Sequence, residues 1–124
     1  MNEINLSWPS KKLSPNGRHH WSEKARAVKK YRTEARYAVL EAGWNGIEIT
    51  GLIQLNITYH PPSRRKYDRD GLQSRLKAAF DGIADALGVD DNRFVPRPNP
   101  IFGDVVKDGK VKIELTEYKE GGDK

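Results

Sequence analysis

Four of the seventeen carboxylates in this sequence fall at two points, Asp68 and Asp70 in Tyr67-Asp68-Arg69-Asp70-Gly71, and Asp90 and Asp91 in Gly88-Val89-Asp90-Asp91-Asn92. Two unit charges about 4 Å apart repel by about 4 kcal/mol at an effective dielectric of about 20. Carboxylates gathered in one place therefore raise their own pKa values or recruit a cation. The chain has no cysteine, and His19, His20 and His60 lack a zinc-binding spacing, so the donors on offer are hard oxygens. They suit Mg²⁺, with Mn²⁺ as a substitute, ions that keep several waters and accept phosphate oxygens as further ligands. Such an ion activates water and stabilises charge on a phosphodiester, and a nearby lysine adds to that stabilisation. An EF-hand is excluded, because Gly71 comes too early and no glutamate follows at the required distance.

Each acid also has a plainer use. Asp70 suits an N-cap with Gln73 as its capping-box partner, Asp90-Asp91-Asn92 suits a turn, and Lys77 with Asp81 forms an i,i+4 pair. In a helix opening at Asp70, the residues Asp70, Ser74, Lys77 and Asp81 share a polar stripe roughly opposite Leu72, Phe80 and Leu87. Asp68, in an extended approach, points to the side of Asp70. Asp90 and Asp91 lie past the far end of this helix. They join the cluster only if the chain after Gly88 turns back beside residues 59–68.

The elements that must position these groups follow from periodicity. Ile4, Leu6 and Trp8 alternate as in a half-buried strand that Pro9 ends. Apolar positions from Trp21 through Ala25, Val28, Tyr31, Ala35 and Ala38 to Ala42 predict a helix, with Ser22 as a candidate cap and Gly43 closing it. On this pattern Trp21 is assigned to the core rather than to a base-stacking platform. Ile53, Leu55, Ile57 and Tyr59 predict a strand stopped by Pro61-Pro62. Leu72, Leu76, Ala79, Phe80, Ile83 and Leu87 predict one helix over 71–87 with Gly88 beyond it. Residues 92–100 read as extended loop. The stretch from Asp104 to Tyr118 reads as a hairpin turning at Asp108-Gly109, with Val111, Ile113 and Leu115 inward. The fold class is α/β (α+β), one small domain over residues 1–118 with a mixed β-sheet and two main helices packed on it; residues 119–124 are expected to be a disordered tail.

Residues 1–66 carry 12 Lys or Arg against 5 acids, whereas residues 67–124 carry 10 against 12, so positive surface is concentrated in the first half. A polyanionic partner explains this, because each lysine or arginine near a phosphate displaces a condensed counterion. A solvated helix face explains it too. No apolar run reaches the length of a membrane span and no signal peptide is evident, so the expected setting is cytoplasmic.

In order along the chain come Leu6-Ser7-Trp8-Pro9-Ser10, Leu13-Ser14-Pro15-Asn16, a basic helix, a strand ending in Pro-Pro and basic residues, the run from Asp68 to Leu87, and Val89-Asp90-Asp91-Asn92. This order resembles the RusA family of Holliday-junction resolvases, from about Ile4 to Glu117. The resemblance implies three aspartates that bind a catalytic Mg²⁺, carried over to Asp68, Asp70 and Asp91 with Asp90 as neighbour. It also implies a symmetric homodimer that cuts four-way DNA junctions during recombination and repair. Two positions depart from the family: Gly71 stands where Asn is common, and Ser74 stands where the helical lysine often falls. The lysine's role passes to Lys77. Candidate phosphate contacts are Lys24, Lys29, Lys30, Arg36, Arg64, Arg65 and Lys66, with Arg18 and His19 close to the junction. The alternative is a non-catalytic, basic DNA-binding or architectural protein.

Overall fold

Strict alternation builds the sheet. In β1 (Glu3–Ser7), Ile4 and Leu6 are buried and their neighbours exposed; in β2 (Ile53–His60), Ile53, Leu55, Ile57 and Tyr59 turn to the same interior. Successive side chains of an extended chain point to opposite faces, so one face of each strand becomes the core. The computed structural model describes residues 3–14, 20–47, 51–64, 66–67, 69–96 and 101–117, with the backbone alone for Arg69, Asp70, Asp91, Pro96 and Glu117.

The other elements are α1 (Trp21–Ala42), α2 (Arg69–Arg75), α3 (Lys77–Leu87), β3 (Phe94–Pro96), β4 (Ile101–Phe102) and β5 (Lys110–Glu117). Single 3₁₀ turns occur at Lys11–Leu13, Trp44–Gly46 and Asp91–Arg93. β5 lies between β1 and β2 and is antiparallel to both, while β3 and β4 pair in parallel with the other edge of β2. Ile113 of β5 faces Ile4 on one side and Ile57 on the other, which sets isoleucines side by side across three strands. Over this face lie Tyr31, Ala35 and Val39 of α1, Ala79 and Ile83 of α3, and Leu72, Leu76 and Trp44. The result is one small α+β domain with a mixed sheet and two main helices. Among the described residues no helix is long and apolar enough to cross a membrane.

The two long helices touch closely at Gly82, where a Cβ would collide with the Arg32 carbonyl and crowd the Ala35 methyl. Beside this contact, the Arg32 guanidinium donates two hydrogen bonds to Asp85, at 2.6 and 2.9 Å. These bonds hold the Asp85 carboxyl below the usual carboxylate range and raise Arg32. α1 is tied to the end of β1 by the Tyr31 hydroxyl, which donates to the Ser7 carbonyl at 2.8 Å, and by Glu34, which accepts from the Ser7 N–H and hydroxyl. Burial, with Glu34 nearby, pushes the Tyr31 phenol far up, so it stays a donor.

Several elements differ from expectation. The helix expected over 71–87 breaks at Leu76, whose N–H bonds to the Gln73 carbonyl three residues back, and α3 starts again at Lys77. His20 rather than Ser22 caps α1: its Nδ1 accepts from the Ser22 N–H, and Gly43 closes the helix in the left-handed region as expected. Trp21 is not in the core; it is 76 % exposed, because the buried face of α1 begins only at Tyr31. Residues 91–96 form a 3₁₀ turn and β3 rather than open loop, and residues 97–100 lie outside the described residues. The Asp108-Gly109 turn forms, with φ of 66° and 71°, yet it does not close a hairpin. The incoming chain is committed to the far edge of β2, where β4 pairs and the Val106 N–H bonds to the Pro61 carbonyl. It crosses the end of β2 before turning into β5. The expected tail, residues 119–124, lies outside the described residues.

Candidate active site

Ser7 of β1 and His60 of β2 both register on Lys110, so these two strands end together at one rim of the sheet. Beyond that rim, the Trp8 ring meets the Tyr67 ring edge-on at 5.3 Å and the Tyr59 ring at 6.1 Å. The Tyr67 and Ser63 hydroxyls are 3.0 Å apart. Arg75, at the end of α2, reaches the Pro9 carbonyl with one terminal nitrogen at 3.4 Å. The segment from Tyr67 to Arg75 is thus pinned to this rim at both ends, and Asp70 is the second residue of α2 within it. Asp68 and Arg65 lie outside the described residues, as do Arg18 and His19.

A cleft of about 440 Å³ opens here, lined by Trp8, Pro9, Ser10, Lys11, Pro62, Ser63, Tyr67, Arg75 and Asp108. The Nε of Arg75 is buried and has no hydrogen-bond partner among the described residues. Sequence reasoning passed over Arg75, Trp8 and Tyr67. The available signal was a second cation on the helix next to Ser74, and aromatics flanking both the Pro-Ser turn and the acidic run. Arg64 and Lys66 are exposed on the same loop.

Of the expected polar stripe, Ser74 uses its hydroxyl on the Gly71 carbonyl of its own helix at 2.8 Å. Lys77 follows the break at Leu76 and its ammonium lies 3.7 Å from the Asp81 carboxylate, the lysine side chain being 74 % exposed. On α1, Lys29, Lys30 and Arg36 are exposed and Lys24 is partly so.

The second acidic pair sits elsewhere. The left-handed Gly88 closes α3, and the Asp90 carboxylate then accepts the Asn92 N–H at 3.0 Å, the geometry of an Asx turn. Asp91 opens the 3₁₀ turn that follows, whose Arg93 guanidinium grips the Gly51 carbonyl at 2.8 and 3.0 Å. Phe94 then pairs with Ile53, the first residue of β2. The chain after Gly88 therefore turns back beside the start of β2, and not beside residues 59–68 at its end. β2 has eight residues at roughly 3.3 Å each, so within one copy Asp91 and α2 are on the order of 20 Å apart. Among the described residues no three of His, Cys, Asp and Glu come together as a metal site; Asp68 and the carboxylates of Asp70 and Asp91 are not among those residues.

No family model matches the chain. A protein of Xylella fastidiosa (strain Temecula1 / ATCC 700964), carrying the words "Uncharacterized protein", is 44 % identical to it over 119 residues. The match takes in 94 % of this chain and 76 % of that protein. At that identity and coverage, the chain belongs to the family of the Xylella fastidiosa protein.

Proposed function

We propose that this protein is a divalent-metal-dependent endodeoxyribonuclease that resolves four-way DNA junctions by paired phosphodiester hydrolysis, in the cytoplasm, as part of recombination and repair. The carrying observation is the pinned segment from Tyr67 to Arg75. Its two ends, Tyr67 and Arg75, line a cleft together with Lys11 and Asp108, at the rim of the sheet that Tyr31 and Glu34 tie to the cationic α1, and α2 carries Asp70. The resemblance to RusA resolvases adds the reaction class.

Asp68 and Asp70 offer oxygen donors suited to Mg²⁺ or Mn²⁺. Within one copy the backbone of Asp91 lies on the order of 20 Å from α2, which carries Asp70. In this reading the third aspartate comes from a second copy, which makes the homodimer a condition of activity and gives two sites for two cuts. When bound, the ion supplies Lewis-acid stabilisation of the phosphodiester and an activated water. The chain's own residues hold the strand: Arg64, Lys66 and Lys11 meet phosphates, and the Arg75 guanidinium adds positive charge to the cleft it lines. Lys77, one step beyond the Leu76 break, adds positive charge beside the reacting phosphate.

The test is incubation with a labelled synthetic four-way junction, with and without Mg²⁺. Metal-dependent cutting, abolished in Asp70→Asn with junction binding retained, supports the reading. Binding without cutting in either metal would leave the non-catalytic DNA-binding alternative. The Asx turn at Asp90 and the Lys77–Asp81 pair show that these acids already have structural uses.

A further inference from the structure

A tryptophan 76 % exposed on a long helix is an expense that water alone does not explain. Trp21 opens α1, ahead of Tyr31, the first buried residue of that helix. Its ring is held in place. The His20 imidazole stacks on it with centroids 5.9 Å apart and planes 28° apart, and His20 is itself fixed by its cap to the Ser22 N–H and by the Ser22 hydroxyl at 2.7 Å. Below the indole runs a groove of about 490 Å³ along Ala25 and Val28, edged by Lys24, Lys29 and Arg32.

The charges around this platform select its occupant. Arg32 is engaged by Asp85, and Glu23, on the first turn, is turned toward Lys12 at 4.0 Å. Lys24 and Lys29 have no ion-pair partner among the described residues. A flat aromatic face between two uncompensated ammonium groups matches a nucleotide: a base for the indole and phosphates for the lysines. A second copy of the chain matches poorly, because a two-fold contact would set this cationic face against itself in a protein of net charge +5.

We propose that Trp21 with His20 is a stacking platform for an unpaired, unstacked DNA base, with Lys24 and Lys29 on the flanking phosphates. The inference rests on the nucleic-acid reading above and gives it a source of selectivity. In a closed duplex each base is already stacked between its neighbours and hidden from a side chain. Where the arms of a branch point are held apart, the bases at the exchange lose a stacking neighbour and unpair more readily, so a base is available. The platform therefore discriminates branched from linear DNA before any bond is cut, by a contact separate from the acidic run.

The three tryptophans make the test direct, since Trp44 is fully buried, Trp8 is partly buried and Trp21 is open. The full chain is titrated with a synthetic four-way junction, and in parallel with a blunt duplex of the same sequence, with emission and affinity followed together. The junction should quench emission strongly in the wild type and much less in Trp21→Phe, where Trp8 in the cleft is the remaining reporter near DNA, and the duplex should quench little. Trp21→Ala should weaken junction binding about 5- to 150-fold while leaving duplex affinity unchanged, and Trp21→Phe should keep most of it. Equal quenching by junction and duplex, or an unaltered junction affinity in Trp21→Ala, overturns the platform while the nucleic-acid reading stands. A Trp21→Ala protein that sediments at half the wild-type mass and loses duplex and junction binding alike overturns it in favour of a contact between copies. A wild type that binds neither DNA removes the parent reading and the platform together.

Discussion

Asp70→Asn and Asp91→Asn should each be inactive alone and active when mixed within one dimer. The ligands of one Mg²⁺ sit about 2.1 Å from the ion, so two carboxylates that share it lie within about 5 Å of each other. Within one copy, the eight residues of β2 put on the order of 20 Å between α2 and Asp91, and the Arg93–Gly51 clasp and the Phe94–Ile53 pairing fix that end. No side-chain rotation closes such a gap. If each site takes Asp68 and Asp70 from one copy and Asp91 from the other, a mixed dimer has one site with both substitutions and one with neither. Random pairing of equal amounts gives roughly half mixed dimers, and selecting these through two tags leaves a sample with about one half of the wild-type number of intact sites. The assay is co-expression of the two variants under different tags, purification through both tags, and single-turnover nicking of a labelled junction with enzyme in excess. Nicks should appear, while paired cuts should not, because only one site per dimer works. Mixed dimers no more active than the parents would refute the argument, since a site built within one copy is broken in both halves. Wild-type cutting by either variant alone would remove that aspartate from the site.

Gly82→Ala should destabilise the fold by about 1–3 kcal/mol or more, because the added methyl meets the Arg32 backbone carbonyl, which cannot swing away as a side chain would. An unchanged denaturant midpoint would mean that α1 and α3 are more loosely packed than described. Lys77→Ala should slow single-turnover cleavage on the order of 10² with little loss of junction affinity, whereas Ser74→Ala, whose hydroxyl donates to the Gly71 carbonyl of its own helix, should be nearly silent. The reverse result would move the lysine's role to the start of the helix. The depressed Asp85 carboxyl stabilises the fold above the unfolded carboxyl pKa of about 3.9, and that stability disappears as pH falls through the lower folded-state value. Asp85→Asn should therefore lower the melting temperature near neutral pH and match the wild type in strong acid. The gap should be small and shrink with salt, because both partners of this pair are well exposed.

How far the sequence was legible depends on whether a feature is local. Alternation at Ile4 and Leu6, or at Ile53 to Tyr59, marks an inward face without knowledge of the partner, and Gly43 and Gly88 mark helix ends for the same reason. Trp21 misled, because a periodic apolar position identifies a stripe but not how far the packed neighbour extends along it. At Asp108-Gly109 the turn conformation was readable and the strand pairing was not: the left-handed φ values belong to two residues, whereas the choice of β1 and β2 as neighbours belongs to the whole sheet. The break at Leu76 carries no proline or glycine to announce it. The side on which Asp91 would fall was open in the sequence, since either end of β2 could receive the chain after Gly88. Arg93 decides it through a bond to a backbone carbonyl, and a carbonyl has no signature in the sequence.

The position of β5 bears on how the chain acquires its shape. Among the described residues, β5 follows every other element in sequence and is the one strand that β1 pairs with. A nascent chain thus carries the outward-facing hydrogen-bonding groups of β1 and one edge of β2 unpaired until residues 110–117 emerge. The link between Ile4 and Ile113 spans nearly the whole described length. Folding must wait for that closure, and topologies dominated by such distant pairings fold slowly. During synthesis the apolar faces of Ile4, Leu6 and Ile53 to Tyr59 are open to other chains, a window in which unpaired edges favour aggregation. Recovery of properly folded protein should thus be governed by the pace of translation and the temperature of expression, and a chain cut before Lys110 would have no route to this sheet at all.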